Sequence, residues 1–162
     1  MAVDTVYAAV GRKPALLREL FETALSGTED VVPAEERDYV RRVRSAGSAK
    51  EKLAIYAAAV AEIGQRMGPV HRALREAAVS DRECAALRAE FGNRRAQNMR
   101  LFAADLRATG ELRPDLSDDD VAEIVWSMNA PEYHALLVED RGWATDRFRQ
   151  WLFDAWTRTL LT

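Results

Sequence analysis

The sequence lacks the features that mark several common classes of protein. It has one cysteine in 162 residues, so no disulfide can form within the chain and a disulfide-stabilised scaffold is excluded. Its eight glycines and five prolines are too few for a disordered or collagen-like chain. The longest apolar run, Leu53 to Ala61, is far shorter than the roughly 20 residues that cross a bilayer. The N-terminus lacks the basic and apolar regions of a signal peptide, so we expect a cytoplasmic protein with no membrane partner.

The charge balance excludes a chain that binds nucleic acid over its whole surface. The formal net charge is -3 and the sequence pI is about 5.5. Hydrophobic residues make up 48% of the chain and charged residues 30%, which is typical of a folded, helix-rich protein. Any contact with DNA must therefore come from a small local surface.

Apolar residues recur at spacings of three and four throughout the chain, and strand-like alternation is nearly absent. The sequence therefore predicts an all-α fold of about seven to eight helices. Their expected ranges are 4–10, 14–25, 33–46, 48–67, 69–79, 80–108, 117–141 and 145–161.

Local signals set these expected boundaries. Ser48 and Ser80 are each followed three residues later by glutamate, the spacing of a capping box, and Ser117 precedes three aspartates at another helix start. Gly68–Pro69 is expected to end one helix. Pro131 is expected to kink another without ending it.

The segment from Val3 to Leu17 reads VDTVYAAVGRKPALL. It resembles the end of the DNA-binding head of the TetR family of transcriptional regulators. The resemblance implies that residues 1–13 are the remnant of a helix-turn-helix head and that residues 14–162 form a ligand-binding and dimerisation domain. It also implies that Thr5 faces bases, that Tyr7 and Lys13 bind phosphate, and that Arg12 assists them.

The family head has two further helices before its recognition helix, whereas only Met1 and Ala2 precede Val3 here. An isolated helix of under about 12 residues is marginal in water. We therefore expect a late start site or a shortened chain, with operator DNA as a partner only when the missing head is present.

The segment from Asn129 to Trp143 reads NAPEYHALLVEDRGW and is also similar to regulators of this family. In that family the last two helices of each subunit pair with those of its mate, so the resemblance implies a homodimer. All four tryptophans lie in the last quarter of the chain, which suits a helix-on-helix interface, although aromatic residues also fill monomer cores. The expected interface residues are Val121, Val125, Tyr133, Leu137, Phe148, Trp151, Leu152 and Trp156.

Members of the family bind a small effector between helices, in pockets that are mostly apolar with a few polar groups. The residues expected to line such a pocket here are Tyr56, Val60, Ile63, Met67, Phe91, Asn98, Phe102, Trp126 and Asn129. The apolar residues among them are equally typical of an ordinary core, and the two asparagines are either satisfied core amides or ligand contacts. Arg94 and Arg95 are expected on a solvated face or in ion pairs. The apolar lining predicts a hydrophobic or aromatic effector.

Nothing in the sequence predicts an enzyme, a metal site or a cofactor. His71 and His134 are far apart and neither has metal-ligand spacing, so we expect both to face solvent or to be satisfied in the core. Cys84 is expected to be a buried, inert thiol. We interpret the chain as a TetR-like repressor whose body binds an apolar effector. The alternative is a helical ligand-binding or protein-interaction module without DNA binding.

Overall fold

The computed structural model describes residues 13–28 and 32–162, and within these ranges it contains seven α-helices and no strand. The helices are α1 (Lys13–Ser26), α2 (Asp38–Ser45), α3 (Ala49–Ser80), α4 (Arg82–Arg107), α5 (Asp118–Met128), α6 (Pro131–His134) and α7 (Thr145–Leu160). A short 3-10 helix, Ala34–Glu36, precedes α2, and a π-helical segment, Ala135–Asp140, follows α6. The all-α prediction is confirmed.

The two longest helices, α3 and α4, form the hairpin on which the other helices pack. Lys52 of α3 donates a hydrogen bond to Asp105 of α4, and the Tyr56 hydroxyl donates to Met99 Sδ. Because the residue number rises along α3 as it falls along α4, the two helices are antiparallel. Helix α3 also contacts α1, α2, α6 and α7, whereas α5 packs mainly on α4. No described helix is both long and apolar enough to cross a membrane.

The turn between α3 and α4 is made by Asp81 alone. Its carboxylate accepts hydrogen bonds from the backbone N–H groups of Glu83 at 2.9 Å and Cys84 at 3.1 Å. The prediction that Ser80 caps α4 is wrong, because Ser80 is still the last residue of α3. A carboxylate one residue later satisfies two of the donors that every helix start leaves free.

The other two predicted N-cap residues are confirmed, although the capping box predicted for Ser48 and Glu51 is incomplete, because the Glu51 carboxylate accepts from the Gly47 N–H at 3.2 Å. Ser48 Oγ accepts from the Glu51 N–H at 3.2 Å at the start of α3. At the start of α5, Ser117 and Asp120 form a complete capping box, in which each side chain accepts from the backbone of the other.

Proline has a different effect at the two positions where a break or a kink was predicted. Helix α3 continues through Pro69, so the predicted helix end at Gly68–Pro69 is wrong. Met67 before the proline and Leu74 after it are both buried. Their packing offsets the roughly 3 kcal/mol by which an internal proline destabilises a helix. The predicted kink at Pro131 is also wrong. The extended backbone of Ala130 ends the helical run, and Pro131 becomes the first residue of α6.

The buried apolar residues fall into two clusters. The large core joins α2, the first half of α3, the second half of α4, α5 and α7, and it includes Leu53, Leu106, Val125, Phe148 and Trp156. The small core lies where α1 meets the other halves of α3 and α4, and it comprises Leu17, Leu74, Ala77, Cys84, Leu87 and Phe91. Cys84 is a buried free thiol, as predicted, and burial raises its pKa.

Candidate functional site

A cavity of about 1280 Å³ lies among α1, α2, α3, α4 and the chain that leads into α6. Its volume exceeds the roughly 300–1,000 Å³ of most small-molecule sites. Residues of both cores border it: Val43, Tyr56, Val60, Met99 and Phe102 from the large core, and Leu74 and Phe91 from the small core. The space therefore separates two packed regions of the same helical body.

All nine residues that the sequence predicted for a pocket line this cavity: Tyr56, Val60, Ile63, Met67, Phe91, Asn98, Phe102, Trp126 and Asn129. The first four project from α3 at spacings of three and four, so they share one face of that helix. The facing residues of α4 recur at similar spacings. That these residues bind a ligand remains a prediction.

The sequence missed the contribution of α1 to the cavity wall. Phe21 stacks on Phe91 with ring centroids 3.8 Å apart, and Leu25 lies further along the same wall. Both residues belong to an apolar stripe on α1, which is the only signal that could have placed them there. The helix that follows the head-like segment therefore forms part of the cavity wall.

A hydrogen-bonded group closes one side of the cavity. The amide nitrogen of Asn129 donates to the Tyr56 hydroxyl at 2.7 Å and lies 3.0 Å from Met99 Sδ, while its oxygen accepts from Arg95 Nη1. Burial raises the pKa of Tyr56 well above its ordinary value. Asn129 is thus satisfied within the chain, whereas Asn98 lines the cavity without a hydrogen-bond partner among the described residues.

Arg94 and Arg95 differ, although they are adjacent. Arg94 Nη1 lies 2.6 Å from Glu22 Oε1 of α1, so the predicted ion pair is confirmed for this residue. For Arg95 the prediction is wrong. Its guanidinium lies over the Trp126 ring, 4.3 Å from the centroid, and Nη1 donates to the Trp126 carbonyl at 2.6 Å. It lines the cavity, and the described residues offer it no salt-bridge partner.

The two histidines also differ from each other. His71 Nε2 lies 3.3 Å from Glu132 Oε1, in agreement with the expected satisfied histidine. His134 contradicts that expectation. It is 4% exposed, and neither ring nitrogen has a hydrogen-bond partner in the described chain. Its ring packs against Gly64 and meets Phe148 edge-on at 5.1 Å, and burial lowers its pKa.

Five of the eight predicted interface residues belong to the large core instead. Val121, Val125, Phe148, Leu152 and Trp156 are 0% exposed within a single chain. A side chain that its own chain covers completely offers no surface to a second copy, so their assignment to a dimer interface is wrong. The apolar pattern of a terminal helix marks its buried face, and it cannot tell which chain covers that face.

The other three predicted interface residues retain accessible surface. Tyr133 and Leu137 are partly exposed, and Trp151 is 41% exposed. Trp151 Nε1 donates to the Tyr133 hydroxyl at 2.7 Å, and its ring meets Trp143 edge-on at 6.1 Å. Leu136 nearby is also exposed. These residues form an aromatic patch beside α7.

Most of the predicted DNA-contacting residues cannot be placed. Thr5, Tyr7 and Arg12 lie outside the described residues, as does most of the predicted head remnant 1–13. Lys13 is the first residue of α1 and is exposed. In the described part of the chain, no three side chains of histidine, cysteine, aspartate or glutamate are grouped as a metal site would require.

Comparison with known proteins found no matching family model, no matching curated protein and no matching solved structure.

Proposed function

We propose that this chain is the ligand-binding and dimerisation body of a TetR-like transcriptional repressor, located in the cytoplasm, with a small apolar molecule as its effector. The observation that carries the proposal is the cavity of about 1280 Å³, lined by all nine residues that were expected in an effector pocket. Its walls combine aromatic and aliphatic side chains with a few polar groups, the composition of a small-molecule site.

The position of α1 could link ligand binding in the cavity to DNA binding. Phe21 stacks on Phe91 in the cavity wall, and Glu22 pairs with Arg94 of α4. A ligand that prefers one arrangement of this wall would shift the position of α1 and, with it, any DNA-binding head attached before it. Effector binding would thereby lower the affinity for operator DNA.

Tryptophan fluorescence tests ligand binding directly, because Trp126 lines the cavity and Trp151 lies outside it. A screen of apolar compounds by thermal shift should yield ligands that raise the melting temperature and change the tryptophan emission. Trp126→Phe should remove most of the emission change, and the control Trp151→Phe should retain it. A response that survives Trp126→Phe and disappears in Trp151→Phe would place binding elsewhere.

The aromatic patch of Tyr133, Trp143 and Trp151 supports the dimer part of the proposal. We expect light scattering to give the mass of two chains at micromolar concentration. Trp151→Glu places a charge in the patch and should give a monomer, whereas Val79→Glu on an exposed face of α3 should not. A monomeric wild-type chain would contradict the homodimer.

DNA binding is tested with a protein that carries the coding sequence upstream of Met1. If that sequence adds two amphipathic helices, the longer protein should bind the DNA upstream of its coding sequence in a gel-shift assay. An effector should then release the protein from this DNA. A ligand-binding protein that never binds DNA would instead support the alternative of a helical ligand-binding or protein-interaction module.

A further inference from the structure

Arg95 is held in the cavity with one part of its guanidinium fixed. Nη1 donates to the Trp126 carbonyl and to Asn129 Oδ1, and the guanidinium plane stacks on the Trp126 ring. These contacts orient the group but supply no negative charge. Burial lowers the pKa of Arg95, which records the cost of holding its charge away from water.

The opposite edge of the guanidinium, formed by Nε and Nη2, has no hydrogen-bond partner among the described residues. Neither atom is among the fully buried, unpartnered polar atoms of the described residues, which include Arg94 Nη2 and Trp126 Nε1. Two parallel N–H groups in one plane match the two oxygens of a carboxylate. Asn98 lies three residues further along α4 and therefore on the same side of the helix, and its amide is also without a partner there.

The described carboxylates that line the cavity are mostly engaged elsewhere. Three of the four face a cation or an imidazole within 4 Å: Glu22 with Arg94, Asp105 with Lys52, and Glu132 with His71. The fourth, Glu35, is exposed. Glu132 and Glu123 favour the charge of Arg95 only from beyond salt-bridge distance. Among the described residues no carboxylate lies within 4 Å of Arg95, so a molecule that enters the cavity could supply one there.

We propose that the ligand is an amphipathic carboxylic acid whose carboxylate binds the Nε–Nη2 edge of Arg95 and whose apolar body lies against Met67 and Phe91. This inference rests on the proposed ligand-binding function and sharpens it, because a purely apolar molecule would leave the guanidinium without a counter-ion. A buried cation gains more from a carboxylate than from a neutral oxygen.

The test compares acids with alcohols of the same shape. Dodecanoate is paired with dodecan-1-ol, and 2-naphthoate with 2-naphthylmethanol, each titrated calorimetrically at pH 7.5. A charged hydrogen-bonded pair is expected to favour each acid by more than about ten-fold in Kd. Arg95→Gln should abolish this preference and leave the affinity for the alcohols within about two-fold, which also shows that the cavity is intact. Arg95→Lys, which keeps the charge without the planar fork, should retain part of the preference.

Arg100→Gln is the matched control, because Arg100 lies on the same helix, faces Asp119 at 3.7 Å and does not line the cavity. It should leave the acid preference within about two-fold of the wild type. If the alcohols bind as tightly as the acids, or if Arg95→Gln keeps the preference, the carboxylate inference is wrong and the ligand-binding function stands. If neither member of either pair binds, the carboxylate inference is wrong for both ligand shapes, and the thermal-shift screen decides separately whether the cavity binds any apolar molecule.

Discussion

The large core and the small core both border the cavity, but they differ in size. Among the described residues the large core has 19 buried members, including Leu53, Phe148 and Trp156, whereas the small core has six, including Phe91. The small core is also supported by ion pairs between α1 and α4, Arg18 with Glu90 and Arg94 with Glu22. The large core therefore acts as the scaffold, and the α1 side is the part of the cavity wall that a ligand can rearrange at least cost.

The largest expected difference between the two cores comes from truncating one phenylalanine in each. Phe148→Ala should lower the free energy of unfolding by about 3–5 kcal/mol, because the large core encloses the ring on all sides. Phe91→Ala should cost less, about 2–3 kcal/mol, because part of its ring already faces the cavity and makes no contacts there. Urea unfolding of both variants measures the difference. Equal losses would show that the small core is packed as tightly as the large one.

Two glycines on the cavity wall give the next contrast. A Cβ at Gly64 would lie 2.3 Å from Cδ2 of His134, whose ring is held by Phe148, so Gly64→Ala should cost about 1–3 kcal/mol. A Cβ at Gly92 would meet no atom within 4 Å, and Gly92→Ala should stabilise helix α4 by up to about 1 kcal/mol. Thermal unfolding should therefore shift in opposite directions. A shift in the same direction for both would contradict the different packing at the two positions.

The ion pair beside the large core should contribute more to stability than the exposed pair between α1 and α4. Lys52 is buried, and its Nζ donates to Asp105 at 3.0 Å and to the Val43 carbonyl at 2.7 Å. Asp105→Ala leaves this ammonium group short of a partner and should cost about 1–3 kcal/mol, a range that allows for the partial exposure of Asp105.

The matched control is Glu90→Ala, which breaks the exposed pair with Arg18 and should cost no more than about 1 kcal/mol. Both losses are read from urea unfolding at low salt. If raising the salt concentration removes the effect of Asp105→Ala as well as that of Glu90→Ala, the Lys52 pair is no better shielded than a surface pair.

The smallest expected effect is on pH dependence. Burial lowers the pKa of His134 in the folded chain below its ordinary 6.5. As the pH falls through about 6.5, His134 binds a proton in the unfolded chain but stays neutral in the folded chain, so the free energy of unfolding decreases. His134→Leu should therefore lose less stability than the wild type between pH 7.5 and pH 5.5. Some dependence should remain, because burial also lowers the pKa of His71. An unchanged pH dependence in His134→Leu would contradict the buried, neutral state of His134.

Helical spacing in the sequence was enough to predict the all-α fold and to group apolar residues on shared helix faces, whereas the expectation that these faces line a pocket came from the family resemblance. Residues such as Tyr56, Val60 and Met67 must share a face whichever helices lie opposite, so their grouping follows from the period of the helix. The helix ends at Ser80 and Pro69 were predicted wrongly because they depend on tertiary contacts. At Ser80 the neighbouring Asp81 caps the next helix instead. At Pro69 the helix continues because the residues before and after the proline are packed in the core.

The roles of single polar and aromatic residues could not be predicted in the same way. Nothing in the local sequence separates Arg94 from Arg95, because one meets Glu22 of a distant helix and the other meets the Trp126 ring. Likewise, the apolar stripe of α7 predicts that Phe148 and Trp156 are buried, but not that their own chain covers them. Such roles depend on partners far away in the sequence.

The most direct test of the cavity as a ligand site is to titrate dodecanoate into two variants of α3, each with one valine replaced by tryptophan. Val60 lines the cavity, whereas Val79 on the same helix is 88% exposed. Val60→Trp should fill part of the space and weaken the binding of dodecanoate by about ten-fold or more, a loss of about 1.4 kcal/mol. Val79→Trp should bind dodecanoate as the wild type does. Equal binding by the two variants and the wild type would show that the ligand does not occupy the cavity.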